Sequence, residues 1–248
     1  MLRSFADGQL FGQTHGSAPF RVLALHGWRR SSADWGQVLA GLDGVALDLP
    51  GFGATPAPPE PWGSRRYAEA VAPVLDEMAP GPVVIGHSFG GRVALWLAAD
   101  HPDQVGGLVL TGVPFGRSKE ERGPRPSAGF RLGRALHRAG VLSDARMERL
   151  REKHGSADYV HATGVMRQVL VAAVGETDRS AYDDALRTIT CSVELVWGDD
   201  DTAAPLAVAK RAAALVSDAR LTIEPGAGHL TPLSAPRALA DAVRRQLA

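Results

Sequence analysis

Six short, mostly apolar runs constrain the fold of this chain more than any other feature of its sequence. Gly, Pro or His follows each run within two residues, and runs of this length between turn-forming residues are typical of β-strands. The first, third and fourth contain no polar residue, which indicates strands that are covered by helices on both faces of a parallel sheet. The runs cover residues 22–25, 45–49, 83–85, 108–110, 193–197 and 221–223.

Segments with helical spacing separate these runs. Strands that alternate with helices predict an α/β fold, in which helices flank a mostly parallel central sheet. In such folds the functional side chains gather in loops at the carboxyl ends of the strands. The helical spacing is carried by apolar residues four positions apart, Tyr67, Val71 and Leu75 in one segment and Leu239, Val243 and Leu247 in another.

Residues 114–190 interrupt the alternation, because no convincing strand pattern occurs there. The segment opens with a stretch rich in Pro, Gly and Arg and continues with helical patterns near 129–138, 144–153 and 157–174. An insertion of this length with helices of its own is typical of a lid over an active site. We therefore predict two parts, a core made of residues 1–113 and 191–248 and a helical cap made of residues 114–190.

Charge and cysteine content narrow the classes of function. Lys and Arg total 27, Asp and Glu total 27, and the net charge is +0, so whole-chain electrostatics gives no argument for binding nucleic acid or a membrane surface. The single cysteine, Cys191, excludes an internal disulfide framework and a multi-cysteine metal site. The sequence shows neither a signal-peptide pattern nor an apolar run of membrane-spanning length, so we expect a cytoplasmic protein.

Residues 86–90 read Gly-His-Ser-Phe-Gly and match the pattern G-x-S-x-G. A strand pattern precedes the motif and a helix-forming run, residues 92–99, follows it, so Ser88 is expected on a sharp turn from strand to helix. Such a turn strains the backbone at Ser88, while Gly86 and Gly90 keep neighbouring side chains away and leave the hydroxyl exposed. The alternative is that Ser88 serves as a helix N-cap, a position that serine favours.

Four further segments lie at the ends of predicted strands. Together with the Ser88 motif, these four segments resemble the α/β-hydrolase superfamily. In chain order, they resemble its oxyanion loop, its D-x-P-G-x-G turn, its acid loop and its histidine loop. The resemblance covers nearly the whole chain. The segments are His26-Gly27-Trp28, residues 48–53 (Asp-Leu-Pro-Gly-Phe-Gly), residues 196–201 (Val-Trp-Gly-Asp-Asp-Asp) with Pro205 beyond them, and residues 225–229 (Pro-Gly-Ala-Gly-His).

The resemblance implies a catalytic triad. A serine hydroxyl is too weakly acidic to attack a carbonyl unaided, and His229 is the base expected to take the proton of Ser88. A carboxylate is needed to orient the imidazole and balance its charge. Residue composition leaves Asp199, Asp200 and Asp201 open for this role, and the spacing usual in the family selects Asp201.

The same resemblance implies an oxyanion hole formed by the backbone N–H groups of Trp28 and Phe89. The Trp28 side chain is expected either in the acyl pocket or in the core. Supporting roles in the motif or the pocket are expected for His26, Gly27, Gly86, His87 and Gly90.

With the resemblance, these residues predict a serine hydrolase with no metal and no other cofactor. It is expected to cleave a carboxylic ester, or a related acyl bond such as a thioester, lactone or amide, of a small to medium substrate through an acyl-enzyme. Two alternatives share the triad, namely C–C bond hydrolases of acidic dienone substrates and cofactor-free haloperoxidases. A ligand receptor on the same fold is the non-enzymatic alternative. The partner expected is therefore a small molecule and neither nucleic acid nor a membrane, and the sequence carries no signal for an oligomeric state.

Local charge in the predicted cap suggests one feature of the substrate. Residues 115–153 contain 11 Lys and Arg against 5 Asp and Glu. A basic lid favours substrates that carry a carboxylate or phosphate. The other interpretation of the same pattern is a solvated helix surface.

Overall fold

The computed structural model describes residues 1–116, 128–154, 157–176 and 178–248. Its strands are β1 (Leu2–Phe5), β2 (Leu10–His15), β3 (Val22–Leu25), β4 (Gly44–Asp48), β5 (Val83–His87), β6 (Gly107–Thr111), β7 (Ser192–Gly198) and β8 (Ala219–Glu224). They form one sheet with the order β1-β2-β4-β3-β5-β6-β7-β8. The pairs β1–β2 and β2–β4 are antiparallel, and the other neighbouring pairs are parallel. The predicted mostly parallel sheet is thus confirmed.

Helices flank this sheet throughout the described part of the chain, in addition to short 3-10 helices at Ser32–Trp35 and Ala72–Glu77. The α-helices are α1 (Ser64–Val71), α2 (Phe89–Asp100), α3 (Ala128–Arg138), α4 (Asp144–His154), α5 (Ala157–His161), α6 (Gly164–Gly175), α7 (Arg179–Thr188), α8 (Leu206–Leu215), α9 (Thr231–Ser234) and α10 (Pro236–Leu247).

The four central strands, β3 to β6, are buried along their whole length. Within β3, Leu23 and Leu25 pack into the cluster formed with α1, α2 and α8 on one face of the sheet. Val22 and Ala24 pack into the cluster on the other face, together with Trp35 and α10. Each leucine buried in this way contributes about 2 kcal/mol relative to an exposed one. Burial on both faces is the reason why β3 contains only apolar residues.

Strands β1 and β2 were not among the predicted runs. Three of the four residues of β1 are exposed, and β2 contains polar residues at Gln13, Thr14 and His15. β1 lies at the edge of the sheet and β2 next to it, and a partly exposed antiparallel strand does not need continuous hydrophobicity, so a search for apolar runs does not find it. The sheet consequently has two more strands, both in antiparallel pairs, than the predicted six.

Helices α3 to α7 lie between β6 and β7, where the sequence predicts an inserted helical segment. The single helical pattern predicted at 157–174 is wrong, because α5 ends at His161 and α6 starts at Gly164. Thr163 between them has an extended backbone, with φ −125° and ψ 161°, which no α-helix can accommodate. Helix α7, whose buried side is formed by Tyr182, Ala185 and Leu186, was not anticipated. Part of the predicted cap, residues 117–127, 155–156 and 177, lies outside the described residues.

The sheet order brings the carboxyl ends of β3, β5, β6, β7 and β8 to one edge. The loops that leave this edge carry the residues singled out by the sequence. Among the described residues, none of the helices combines the length and the apolar character that crossing a membrane demands.

Candidate active site

Ser88 lies on the turn between β5 and α2. Its backbone has φ 52° and ψ −114°, a region that costs a residue with a side chain about 1–3 kcal/mol. The backbone segments around this turn are so close together that side chains have no room at Gly86 and Gly90. A Cβ at Gly86 would lie 2.6 Å from the Gly90 oxygen, and a Cβ at Gly90 would collide with the carbonyl oxygen of His26. The Ser88 N–H donates to the Thr111 oxygen at 3.0 Å. The two glycines and this bond hold the strained turn in place.

The hydroxyl of Ser88 does not cap the helix that follows it. Ser88 occupies the residue before α2, but its side chain accepts no hydrogen bond from the first turn. Its Oγ instead lies 3.0 Å from Nε2 of His229. The structure therefore does not bear out the N-cap alternative.

His229 joins Ser88 to Asp201. Its Nδ1 lies 2.9 Å from Oδ2 and 3.0 Å from Oδ1 of Asp201. The Asp201 side chain is 0% exposed, whereas the His229 side chain is 28% exposed. Oδ1 of Asp201 also accepts the backbone N–H of Ala203 at 2.9 Å and of Ala204 at 2.8 Å. The carboxylate is thus anchored by backbone donors and faces the imidazole.

The other two candidates for the acid lie elsewhere. Asp199 and Asp200 are both exposed. Oδ1 of Asp199 accepts the backbone N–H of Gly226 at 2.7 Å. Of the three neighbouring carboxylates, Asp201 is therefore the one that contacts His229.

The predicted oxyanion donors lie on the loop after β3 and at the start of α2. Within the described residues, no hydrogen-bond acceptor is found for the backbone N–H of Trp28 or of Phe89. The indole of Trp28 packs edge-on against Phe52 at 5.0 Å and against Phe89 at 5.7 Å between ring centroids. Two backbone donors next to Ser88 are thus free to bind an external oxygen atom.

His26 holds the loop that carries Gly27 and Trp28. Its ring is buried, Nε2 accepts the Leu49 N–H at 3.1 Å, and Nδ1 donates to the Gly27 oxygen at 2.8 Å. Burial lowers the pKa of His26, so the ring is neutral and one nitrogen can accept while the other donates. His26 therefore fixes the loop and does not reach Ser88.

A sequence model described as "Alpha/beta hydrolase family" matches residues 22–242. The chain belongs to the alpha/beta hydrolase family. A pimeloyl-[acyl-carrier protein] methyl ester esterase of Aromatoleum aromaticum is 31% identical to it in an alignment of 249 positions that covers 87% of this chain and 93% of that relative. Lipase LipV of Mycobacterium tuberculosis is 43% identical in an alignment of 98 positions that covers 38% of this chain and 37% of LipV. The chain thus spans little more than a third of LipV.

The fold of this alpha/beta hydrolase also matches solved structures. A thermophilic esterase from Thermogutta terrifontis, solved with malate bound, superimposes with a TM-score of 0.70 at 20% sequence identity, over 100% of this chain and 98% of that chain. At this identity the likeness concerns the fold.

His87 of this alpha/beta hydrolase lies inside the site without touching the Ser88 hydroxyl. Its ring is buried, and Nε2 donates to the backbone oxygen of His229 at 2.8 Å. Its Nδ1 has no hydrogen-bond partner among the described residues, and a Cβ at Gly27 would lie 2.7 Å from that nitrogen. Burial, reinforced by the charge of His229, lowers the pKa of His87 to about 4. The ring is therefore neutral near pH 7.

Three site residues were missed by the sequence reasoning. Gly112 follows β6 with φ 59°, and a Cβ there would lie 3.2 Å from both Asp201 Oδ2 and His229 Nδ1. The buried hydroxyls of Thr111 and Thr231 lie 2.5 Å apart and link β6 to the segment after His229. Gly112 could have been found from the sequence, because it is a glycine directly after a predicted buried strand. No sequence signal pointed to Thr111 or Thr231.

Within the described residues, no three His, Cys, Asp or Glu side chains are grouped so that they could hold a metal ion.

Proposed function

We propose that this alpha/beta hydrolase is a serine hydrolase that cleaves carboxylic esters of small to medium substrates through an acyl-enzyme. One observation carries the proposal: the His229 imidazole lies 3.0 Å from the Ser88 hydroxyl on one side and 2.9 Å from the buried carboxylate of Asp201 on the other. This is the spacing that transfer of a proton from Ser88 to His229 requires. The relative from Aromatoleum aromaticum, a methyl ester esterase, supports an ester as the bond cleaved.

In the first half of the reaction, Nε2 of His229 takes the proton of Ser88 as Oγ attacks the ester carbonyl. Asp201 keeps the other ring proton on Nδ1 and balances the charge of the imidazolium. The negative charge that develops on the carbonyl oxygen is stabilised by the backbone N–H groups of Trp28 and Phe89. The loss of one such donor raises the barrier by about 3 kcal/mol in other enzymes. His229 then protonates the alcohol as it leaves.

In the second half, water attacks the acyl group on Ser88. His229 takes a proton from the water, and the tetrahedral intermediate collapses with return of a proton to Oγ of Ser88. The products are a carboxylic acid and the free enzyme. Water and the protein's own residues are sufficient for each of these steps, so the proposal includes no cofactor.

We further propose that residues 114–190 form a cap over this site, with the core made of residues 1–113 and 191–248. The Met166 side chain on α6 lies against Gly51. Arg29, next to Trp28, forms an ion pair of 3.1 Å with Asp158 on α5. These contacts support an acyl pocket between the sheet and helices α5 and α6.

A more specific part of the proposal is that the substrate carries a negative charge, which the basic residues of the cap would attract. The side chains of Arg131 and Arg138 on α3, and of Arg146 and Arg149 on α4, are exposed, as the solvated-surface interpretation predicts. If a basic cap attracts the substrate, kcat/KM for an anionic ester exceeds that for its neutral isostere at low salt, and the advantage disappears at 1 M salt. Equal, salt-insensitive rates would remove the anionic part and leave the esterase proposal intact.

A fluorophosphonate probe tests the proposal directly. Wild-type protein should be labelled at Ser88, Ser88→Ala should not be labelled, and the exposed Ser217 provides a matched control in which Ser217→Ala keeps full labelling. Folded wild-type protein that takes up no label would favour a ligand receptor.

A panel of esters, thioesters, lactones, amides and a dienone acid, with a halide oxidation assay, then separates the esterase from C–C hydrolases and haloperoxidases. Turnover of the dienone acid alone would contradict the ester proposal.

A further inference from the structure

The backbone of the segment that ends at His229 is held by few hydrogen bonds to the rest of the site. Residues 225–230 connect β8 to α9 and include Gly226 and Gly228, which add little stiffness of their own. Two hydrogen bonds link the start of this segment to the acid loop, Gly226 N–H to Asp199 Oδ1 at 2.7 Å and Asp200 N–H to the Ala227 oxygen at 3.1 Å. Both bonds lie before His229 in the chain, so they do not hold the His229 peptide group itself, whereas Asp201 holds only the imidazole.

His87 supplies a restraint on the backbone of His229. Its Nε2 donates to the His229 backbone oxygen at 2.8 Å, and within the described residues this is the hydrogen bond that the His229 peptide group makes. A carbonyl oxygen only accepts, so the proton of the neutral His87 ring is on Nε2. Because His87 precedes Ser88 in the chain, the bond links the residue next to the serine to the backbone of His229.

We propose that His87 is a positioning residue for the hydrolase reaction, which holds the His229 imidazole in reach of Ser88 through the bond to the His229 carbonyl. The inference rests on the proposed function. The bond between Ser88 and His229 is lost in the acyl-enzyme, since an acylated Oγ has no proton. The bond from His87 involves no reacting atom and persists through both half-reactions.

A small displacement of His229 is costly for the reaction. Proton transfer needs hydrogen-bonded contact between Oγ and Nε2, and misplacement by about 1 Å costs about 10²-fold in rate. Substrate binding does not depend on the same contact. Loss of the His87 donor is therefore expected to lower kcat while KM stays nearly constant.

The test compares three replacements of His87. Gln carries an amide N–H donor about as far along the side chain as Nε2 of histidine, Asn carries one that is a bond too short, and Leu carries none. We expect kcat for an ester to fall about 10-fold to 100-fold in His87→Leu and His87→Asn, with KM within about 2-fold. His87→Gln should keep kcat within about 3-fold of wild type, and the rate of fluorophosphonate inactivation should follow kcat in all variants.

The outcomes are distinguishable. If wild type is not labelled by the probe, the proposed function fails. If wild type is labelled and His87→Asn equals it in kcat, or if His87→Gln is as slow as His87→Asn, the positioning role is overturned. Thermal unfolding of each variant separates loss of activity from loss of fold, and the Asn and Gln pair decides the question if the Leu variant fails to fold.

Discussion

Nε2 of His229 lies 3.0 Å from Oγ of Ser88 although 141 positions separate the two residues. Ser88 follows β5 and His229 follows β8, three strand spacings away in the sheet, which is about 14 Å. The five residues from Pro225 to His229 extend over about 17 Å at most. The loop makes a turn directly after β8, where the Ala227 N–H donates to the Glu224 oxygen at 3.3 Å, and a few hydrogen bonds decide where the imidazole lies.

We predict that Asp201→Asn lowers kcat by about 10⁴-fold. Oδ1 at this position accepts the N–H groups of Ala203 and Ala204, so an asparagine would keep its oxygen there and turn its NH₂ group toward His229. Nδ1 would then have to accept, the ring proton would move to Nε2, and Nε2 could no longer act as a base. Steady-state ester hydrolysis measures the effect. Asp200 is exposed, and equal losses in Asp200→Asn and Asp201→Asn would contradict the assignment.

The buried His87 should make stability depend on pH. Its pKa falls from 6.5 to about 4 in the folded protein, mainly through burial and also through the charge of His229, against the opposing effects of the His229 carbonyl, Asp34 and Asp201. Between these two values the unfolded chain binds a proton that the folded protein does not, so the free energy of unfolding falls as the pH falls from 6.5 to about 4.

For this group, the loss between pH 7 and pH 5 is about 2 kcal/mol. His87→Gln cannot bind that proton, so wild type should lose about 2 kcal/mol more than the variant over the same interval. Urea denaturation at the two pH values measures the difference. Identical losses in the two proteins would show that His87 titrates normally.

Gly112→Ala should impair the site beyond its effect on stability. The left-handed backbone of Gly112 (φ 59°) disfavours any other residue by about 1 kcal/mol, and the new Cβ would lie 3.2 Å from Asp201 Oδ2 and His229 Nδ1. Gly41 has φ 74° and no atom within 4 Å of such a Cβ, so Gly41→Ala is the matched control. Both variants should be destabilised in urea denaturation, and only Gly112→Ala should lose kcat. A Gly112→Ala variant with the kcat of wild type would show that a Cβ at this position does not disturb Asp201 and His229.

Glu176→Gln should lower the free energy of unfolding by about 2 kcal/mol, as expected when hydrogen bonds to a charged group are weakened. The Glu176 carboxylate accepts the N–H of Ser64 at 2.5 Å and the hydroxyls of Ser64 and Tyr182, each at 2.7 Å. It also lies 3.5 Å from Arg92. It therefore joins the end of α6 to α1 and α2. Glu60 is exposed, and urea denaturation should show Glu60→Gln to be neutral; equal effects in both variants would contradict this role.

The interior strands of the sheet were predictable because each of them has a recognisable local sequence pattern. Residues 22–25, 83–85 and 108–110 are apolar throughout, and burial on both faces demands this of any sequence in that position. Strand β1 has no such pattern, since three of its four residues are exposed. The break between α5 and α6 has one local signal, Gly164 with φ 54° at the start of α6, which the helical spacing of the surrounding residues concealed.

The sequence by itself determined the alternation of strands and helices and the turn at Ser88, because backbone strain and hydrophobic period act over a few neighbouring residues. It also narrowed the acid to three adjacent carboxylates, of which the spacing usual in the family selects Asp201. Only the tertiary structure decided that the Asp201 carboxylate contacts the His229 ring and that the hydroxyls of Thr111 and Thr231 contact each other. It also decided that His87 lies on the His229 carbonyl, 142 positions along the chain. Such contacts depend on the register of strands and the path of loops, which no local pattern records.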